Sequence, residues 1–149
     1  MQKITPFLWF EKDALKAAEF YVSVFGEDSR VVHSSTMGDT PSGTVEIVTV
    51  SLRGQEFTLM GAGPFQKINS AVSFVINVSG QAEVDHFWDA LSAVPEAERC
   101  GWLTDQFGVT WQVVPKELHE LLSSPDKEKA SRAQRAMLGM KKIIIDQLH

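Results

Sequence analysis

One order of signals occurs twice in this chain: a short β-like run, an amphipathic helix, and a strand pair closed by a glycine turn. The first set opens at Ile4 to Phe10 and the second at Ala71 to Val78, a separation of roughly 70 residues that marks an internal repeat of a βα-plus-strands module. The two halves share little sequence, so the repeat rests on order and spacing. Antiparallel hairpins following each helix lead away from a parallel, doubly wound sheet.

In the first half, Ile4-Thr5-Pro6-Phe7-Leu8-Trp9-Phe10 lies between Lys3 and Glu11 and reads as a strand, with Pro6 near its start or on an edge. Asp13 to Phe25 places Ala14, Ala18, Tyr21 and Phe25 on one helical face, and Gly26 stops the pattern. Val31 to Met37 is a further β run, and Gly38 to Gly43 is turn chemistry with Pro41. Thr44 to Leu52 then pairs with Gln55 to Ala62 across Arg53-Gly54. The order is βαβββ. With Arg53 and Gly54 as the two loop residues, Leu52 opposes Gln55, and opposed residues share a face. Val48, Val50, Leu52, Phe57 and Leu59 form an apolar layer suited to lie under the helix. Ile47, Thr49, Ser51, Glu56, Thr58 and Met60 form a semi-polar layer expected to line a cavity or an interface.

A second module follows Gly61-Ala62-Gly63-Pro64. Val72, Phe74, Ile76 and Val78 alternate with Ser73, Val75 and Asn77 along one strand, and Gln81 to Ala93 carries Val84, Phe87, Trp88 and Leu91 at helical spacing. Cys100-Gly-Trp-Leu-Thr-Asp-Gln-Phe-Gly-Val-Thr-Trp-Gln-Val-Val-Pro115 reads as a hairpin with a Gly-centred turn, its second strand deep in a sheet. Trp88 and Trp111 fall on core faces. Trp102 has no fixed parity, because the loop before Gly108 is ambiguous.

The tail departs from the repeat. Lys116 to Leu122 is a short helix, and Ser124-Pro125-Asp126 predicts a helix start with Ser124 at the N-cap. Ala130, Ala133, Met137, Met140 and Ile144 step by three and four, with Gly139 interrupting the run. So apolar a tail must pack on its own domain or on a partner subunit. The expected organisation is one domain over 1–149, with a first module at about 1–64, a second at about 65–115 and a helical tail at 116–149.

With 14 Lys and Arg against 19 Asp and Glu, the net charge is −5, which gives no electrostatic reason to hold nucleic acid or an anionic membrane. One cysteine excludes an intrachain disulfide. The first apolar run is too short and β-like for a signal-peptide core, so a cytoplasmic address is expected.

Two βαβββ modules side by side resemble the vicinal oxygen chelate superfamily, the fold of glyoxalase I, bleomycin-resistance proteins and extradiol dioxygenases. More narrowly, Ile4-Thr-Pro-Phe-Leu-Trp-Phe10, Ala18-Glu-Phe-Tyr21, the Cys100 to Pro115 stretch and Met137-Leu-Gly-Met-Lys-Lys142 look like the PhnB-like family, often labelled 3-demethylubiquinone-9 3-methyltransferase domain. The resemblance spans nearly the whole chain. It implies an α+β fold, two βαβββ modules forming curved mixed sheets plus C-terminal helices, and a homodimer. The superfamily's enzymes bind a divalent metal through His or carboxylate ligands on the first and last strands of each module. Anchored on Phe20-Tyr21 and Gly108, those positions fall on Thr5, about Met60, Ser73 and Gln112. Two hydroxyls, a thioether and an amide offer no anionic charge to offset dehydration of the ion. No metal and no cofactor are therefore expected.

The expected site is a pocket bounded by Thr5, Phe7, Trp9, Thr58, Met60, Ser73, Val75, Asn77 and Gln112 that binds a small, partly aromatic molecule without changing it. Rings supply stacking, a thioether adapts, and uncharged polar groups orient the ligand. Glu56 belongs at the rim. No catalytic residue is assigned. The four histidines have no metal-ligand spacing, with His33 nearest the cavity face, and Cys100 reads as a buried structural thiol. The methyltransferase label has no support from a strand–Gly-rich loop–helix unit, since Gly61-Ala62-Gly63 leads into Pro64 and another strand. Two other readings stay open: an enzyme of the superfamily, whether methyltransferase, lyase, isomerase or dioxygenase, and a non-catalytic dimeric interaction module whose semi-polar face is filled by side chains.

Overall fold

The first unit, Met1–Ile68, runs β1 (Phe7–Phe10), α1 (Ala14–Phe25), β2 (Arg30–Thr40), β3 (Gly43–Leu52) and β4 (Gln55–Gly61); residues 2–149 are those that the computed structural model describes. Its sheet is ordered β1-β4-β3-β2, with β1 parallel to β4 and the other pairs antiparallel. Arg53 and Gly54, at φ 49° and 88°, are the two central residues of the β3–β4 turn, and this tight turn sets Leu52 opposite Gln55, Val50 opposite Phe57 and Val48 opposite Leu59. Those apolar residues are buried beside Ala14, Ala17, Ala18 and Tyr21 of α1, which packs on β3 and β4.

Strand limits differ from the sequence reading where a donor is missing or gained. The first strand begins at Phe7 rather than Ile4, because Pro6 has no N–H, although its carbonyl still accepts from the Thr58 amide at 2.9 Å. The second strand continues through Gly38 and Asp39 to Thr40, absorbing them in a register shift, and the turn narrows to Pro41-Ser42. Thr40 Oγ1 fastens that turn, accepting from the Ser42 amide and donating to the Gly43 carbonyl.

The second unit, Asn69–His149, runs β5 (Ser73–Val78), α2 (Gln81–Leu91), a 3-10 turn at Pro95–Ala97, β6 (Trp102–Thr104), β7 (Thr110–Pro115), α3 (Lys116–Leu122), α4 (Lys127–Leu138) and a 3-10 turn at Ile145–Gln147. Its sheet is β5-β7-β6, so β7 is the central strand, as its apolar run implies. The order of the first unit recurs with one strand fewer. Where the outer strand would lie, Pro95 and the charged run after it form the 3-10 turn, and only an Arg99–Trp102 bridge remains. Ile76, Val78, Leu103, Trp111 and Val113 bury one face of this sheet, and Val84, Phe87, Trp88 and Leu91 of α2 are buried with them.

The tail packs on its own unit. Leu118, Leu121, Ala133, Ile143 and Leu148 form a cluster with Val114, Ala136, Met137 and Met140 against it. Gly139 ends α4 and resets the periodicity, so Ile143 rather than Ile144 is fully buried. The chain then passes Cys100 and Gly101, whose amides donate to the Met140 and Lys141 carbonyls. Gln81 grips it from both sides, donating to the Ile143 carbonyl and accepting from the Ile145 amide. The α4 N-cap is Asp126, not Ser124: its carboxylate accepts from the Glu128 and Lys129 amides, while Ser124 Oγ accepts from the Asp126 amide. No helix among the described residues is long and apolar enough to cross a membrane.

Candidate functional site

The face of the first sheet opposite α1 carries the groove. Sheet register brings Phe7 beside Thr58 and Thr49, and Trp9 beside Met60 and Ile47. Cross-strand neighbours share a face, so these side chains line one surface. That surface is divided. Its polar end holds Thr49, Thr58, Ser51, Glu56 and the exposed His33, whose register partner is Thr49. At its other end an open groove of about 490 Å³ is lined by Phe7, Trp9, Met37, Val45, Ile47 and Met60, with Ala62 and the Thr40-Pro41-Ser42 turn at the margin. A lining of two rings, two thioethers and branched aliphatics suits an apolar ligand body. Trp9 is held in place, because its indole N–H donates to the Gly63 carbonyl at 2.8 Å. Phe7 is 57% exposed and Met37 53%, a large apolar area open to solvent.

Of the residues expected in the site, Phe7, Trp9 and Met60 meet in this groove. Thr58 shares their face but lies outside the lining, and Thr5 is half-buried ahead of β1. Met37 and Val45 are lining residues that the sequence reading did not name. Val45 was within reach, since it shares the parity of Ile47. Met37 was not, because two register shifts in β2 decide which way it points.

Ser73, Val75, Asn77 and Gln112 belong to the second unit, on the face of its sheet turned away from α2. Gln112 Nε2 donates to Ser73 Oγ at 2.9 Å, so the expected polar handle is engaged by a neighbouring side chain. Val75, 47% exposed, and Asn77 stand open beside them. The tail covers this face at Val114 and leaves Val75 uncovered. Trp102 finds its parity here. Cys100 and Gly101, at φ 38° and 88°, make a two-residue turn that sets Trp102 opposite Arg99 on one side and Gln112 on the other. Cys100 is half-buried in that turn rather than enclosed in a core. The turn into β7 is organised by Asp105, whose carboxylate accepts from the Phe107 and Val109 amides and from the Trp111 indole.

The positions matching the superfamily's metal ligands do not fit a hard divalent cation. Met60 presents a thioether, and the Ser73 hydroxyl and Gln112 amide are bonded to each other. Among the described residues no three His, Cys, Asp or Glu side chains are grouped to hold such an ion.

The family described as 3-demethylubiquinone-9 3-methyltransferase matches residues 2–114. Similar solved structures include a PhnB protein from Bacillus cereus, 29% identical, over 76% of this chain and 99% of that one, TM-score 0.63. The fosfomycin resistance protein FosX from Listeria monocytogenes is 16% identical, over 83% and 98% of the two chains, TM-score 0.58. The same FosX complexed with Mn(II) and sulfate ion aligns over 76% and 91% at 16% identity, TM-score 0.52. These likenesses place the fold in the vicinal oxygen chelate superfamily. No curated protein matches the chain.

Proposed function

The chain belongs to the 3-demethylubiquinone-9 3-methyltransferase family, and from that premise we propose that it is a small-molecule-binding protein of the glyoxalase/bleomycin-resistance fold. It holds an uncharged, partly aromatic ligand in the groove of its first unit, without a metal. The observation that carries this reading is the groove itself: Phe7, Trp9, Met37 and Met60 around about 490 Å³, with no carboxylate, imidazole, amine or thiol in the lining and only the Thr40 and Ser42 hydroxyls at its margin. Binding there gains from desolvating apolar surface and from stacking on an indole whose position is fixed by the Gly63 carbonyl. Chemistry is not required of it. Among the described residues, the family's methyltransferase name is not matched by a glycine-rich strand–loop–helix cradle. Gly63 is bonded to Trp9, and the residues after it lead into β5 rather than into a helix N-terminus.

The test is a thermal-shift screen of chelator-treated protein against uncharged aromatic compounds. A ligand at a hundred times its Kd adds about 2.7 kcal/mol of stability, enough to raise Tm by several degrees. Trp9→Ala should weaken such a ligand by about 1–3 kcal/mol, the order for losing a stacked aromatic anchor. If no compound in a broad set shifts the wild-type protein, the interaction-module reading takes its place.

A further inference from the structure

The second unit carries a cavity of its own, of about 420 Å³, lined by Ser70, Ala97, Arg99, Trp102, Thr104 and Thr110. Its geometry follows from the strands. Arg99 and Trp102 exchange both backbone hydrogen bonds, at 3.1 and 2.7 Å, across the Cys100-Gly101 turn. Their side chains therefore leave the same face as close neighbours. Thr104 lies opposite Thr110, and Trp102 opposite Gln112, which puts the two threonines and the indole on that face as well.

Every polar side chain lining this cavity can donate a hydrogen bond, and none has a protein partner among the described residues. Among the described residues, no hydrogen bond or ion pair engages the Arg99 guanidinium, the Trp102 indole N–H or the hydroxyls of Ser70, Thr104 and Thr110. Thr110 is 3% exposed as a whole residue, and what it leaves open faces this space. No carboxylate lines the cavity. Of the carboxylates adjacent in sequence to lining residues, Glu98 is turned to the Trp88 indole and the Ser92 hydroxyl, Asp105 to the Phe107 and Val109 amides and the Trp111 indole, and Glu96 is exposed. A single unpaired positive charge thus stands among neutral donors on a chain of net charge −5.

We propose that this cavity is a binding site for a small organic monocarboxylate. The guanidinium takes the carboxylate, the threonine hydroxyls donate to it, and the planar body of the acid lies against the Trp102 indole. Charge count selects the class: one cation neutralises a carboxylate, whereas a phosphonate or phosphate dianion would be left half compensated. The site does not depend on the apolar groove of the first unit.

Benzoate titrated into the 15N-labelled full chain at pH 7.5 tests it, with the Trp102 indole resonance assigned through Trp102→Phe. A saturable shift of that resonance is expected, with affinity falling about tenfold or more in Arg99→Gln and about threefold in Thr110→Val. Trp9→Ala should leave it unchanged, which separates this site from the groove. Phenylphosphonate should bind more weakly than benzoate. The proposal is overturned if the shift does not saturate, if Arg99→Gln, an exposed and structurally tolerant change, binds benzoate as well as wild type does, or if phenylphosphonate binds as tightly.

Discussion

A carboxylate as enclosed as that of Asp105, 1% exposed, persists only when donors converge on it, and three do: the Phe107 and Val109 amides at 2.8 and 3.0 Å and the Trp111 indole at 2.8 Å. Asp105→Ala would strand all three donors, and a loss of about 2–4 kcal/mol is expected in urea unfolding. A loss below about 0.5 kcal/mol would show that the turn holds without the carboxylate. Nothing in the sequence singled Asp105 out, because its partners become neighbours only once Gly108 turns the chain. Trp102 is a different case. Its parity was legible in principle, since Cys100-Gly101 is the same kind of two-residue, positive-φ turn as Arg53-Gly54. The glycine at 108 does turn β6 into β7, as expected, but the parity of Trp102 is set by the second turn, at Cys100-Gly101, ahead of β6.

Among the elements, the two repeat helices share a device that no local motif announces. Neither α1 nor α2 has a side-chain cap of its own at Asp13 or Gly80. Each is met by a carboxylate from elsewhere: Glu46 of β3 accepts from the Leu15 amide, and Glu117 of α3 accepts from the Gly80 amide. These partners lie 31 and 37 residues away in sequence, beyond the reach of a capping rule, whereas the local Asp126 cap was missed by only two residues. The tail is latched electrostatically as well as by packing. Asp85 is held below its ordinary carboxylate value of 3.8, first by the hydrogen bond from Gln81 and then by Lys142 at 2.9 Å. A lowered folded-state value means that the stabilisation is present above about pH 3.8 and is lost as pH falls below it. With its side chain 43% exposed, the contribution is modest. Hydrogen exchange at the Ile145 amide, which donates to Gln81, should quicken relative to intrinsic rates on acidification below that value. Asp85→Asn should remove the acid step, and an unchanged step would assign it to another group.

For the molecule as a whole, order and spacing were enough to read two modules, because hydrophobic periodicity survives divergence between halves that share little sequence. The shortened second sheet was not legible. Its outer strand is lost to Pro95 and a charged run, which could equally have been a connecting loop. Placement of the tail was open between its own domain and a partner, and burial of Ile143 and Leu148 at 0% exposure puts it on its own unit. The homodimer expected from the superfamily would therefore have to draw on other apolar surface, such as Ile4, Phe65 and Val72. Sedimentation at micromolar concentration tests it, and a single monomeric species would remove the proposal.

The central claim is that the groove around Trp9 binds without a metal and without chemistry. Calorimetric titration of the best compound from the thermal screen into chelator-treated wild-type and Trp9→Ala protein, with the compound then recovered and analysed, addresses it most directly. The expected result is saturable binding near one compound per chain, weakened roughly 5- to 150-fold by the substitution, and a compound returned unaltered. Binding that vanishes on chelation and returns with Mn(II), binding indifferent to Trp9, or a compound returned chemically changed would contradict it.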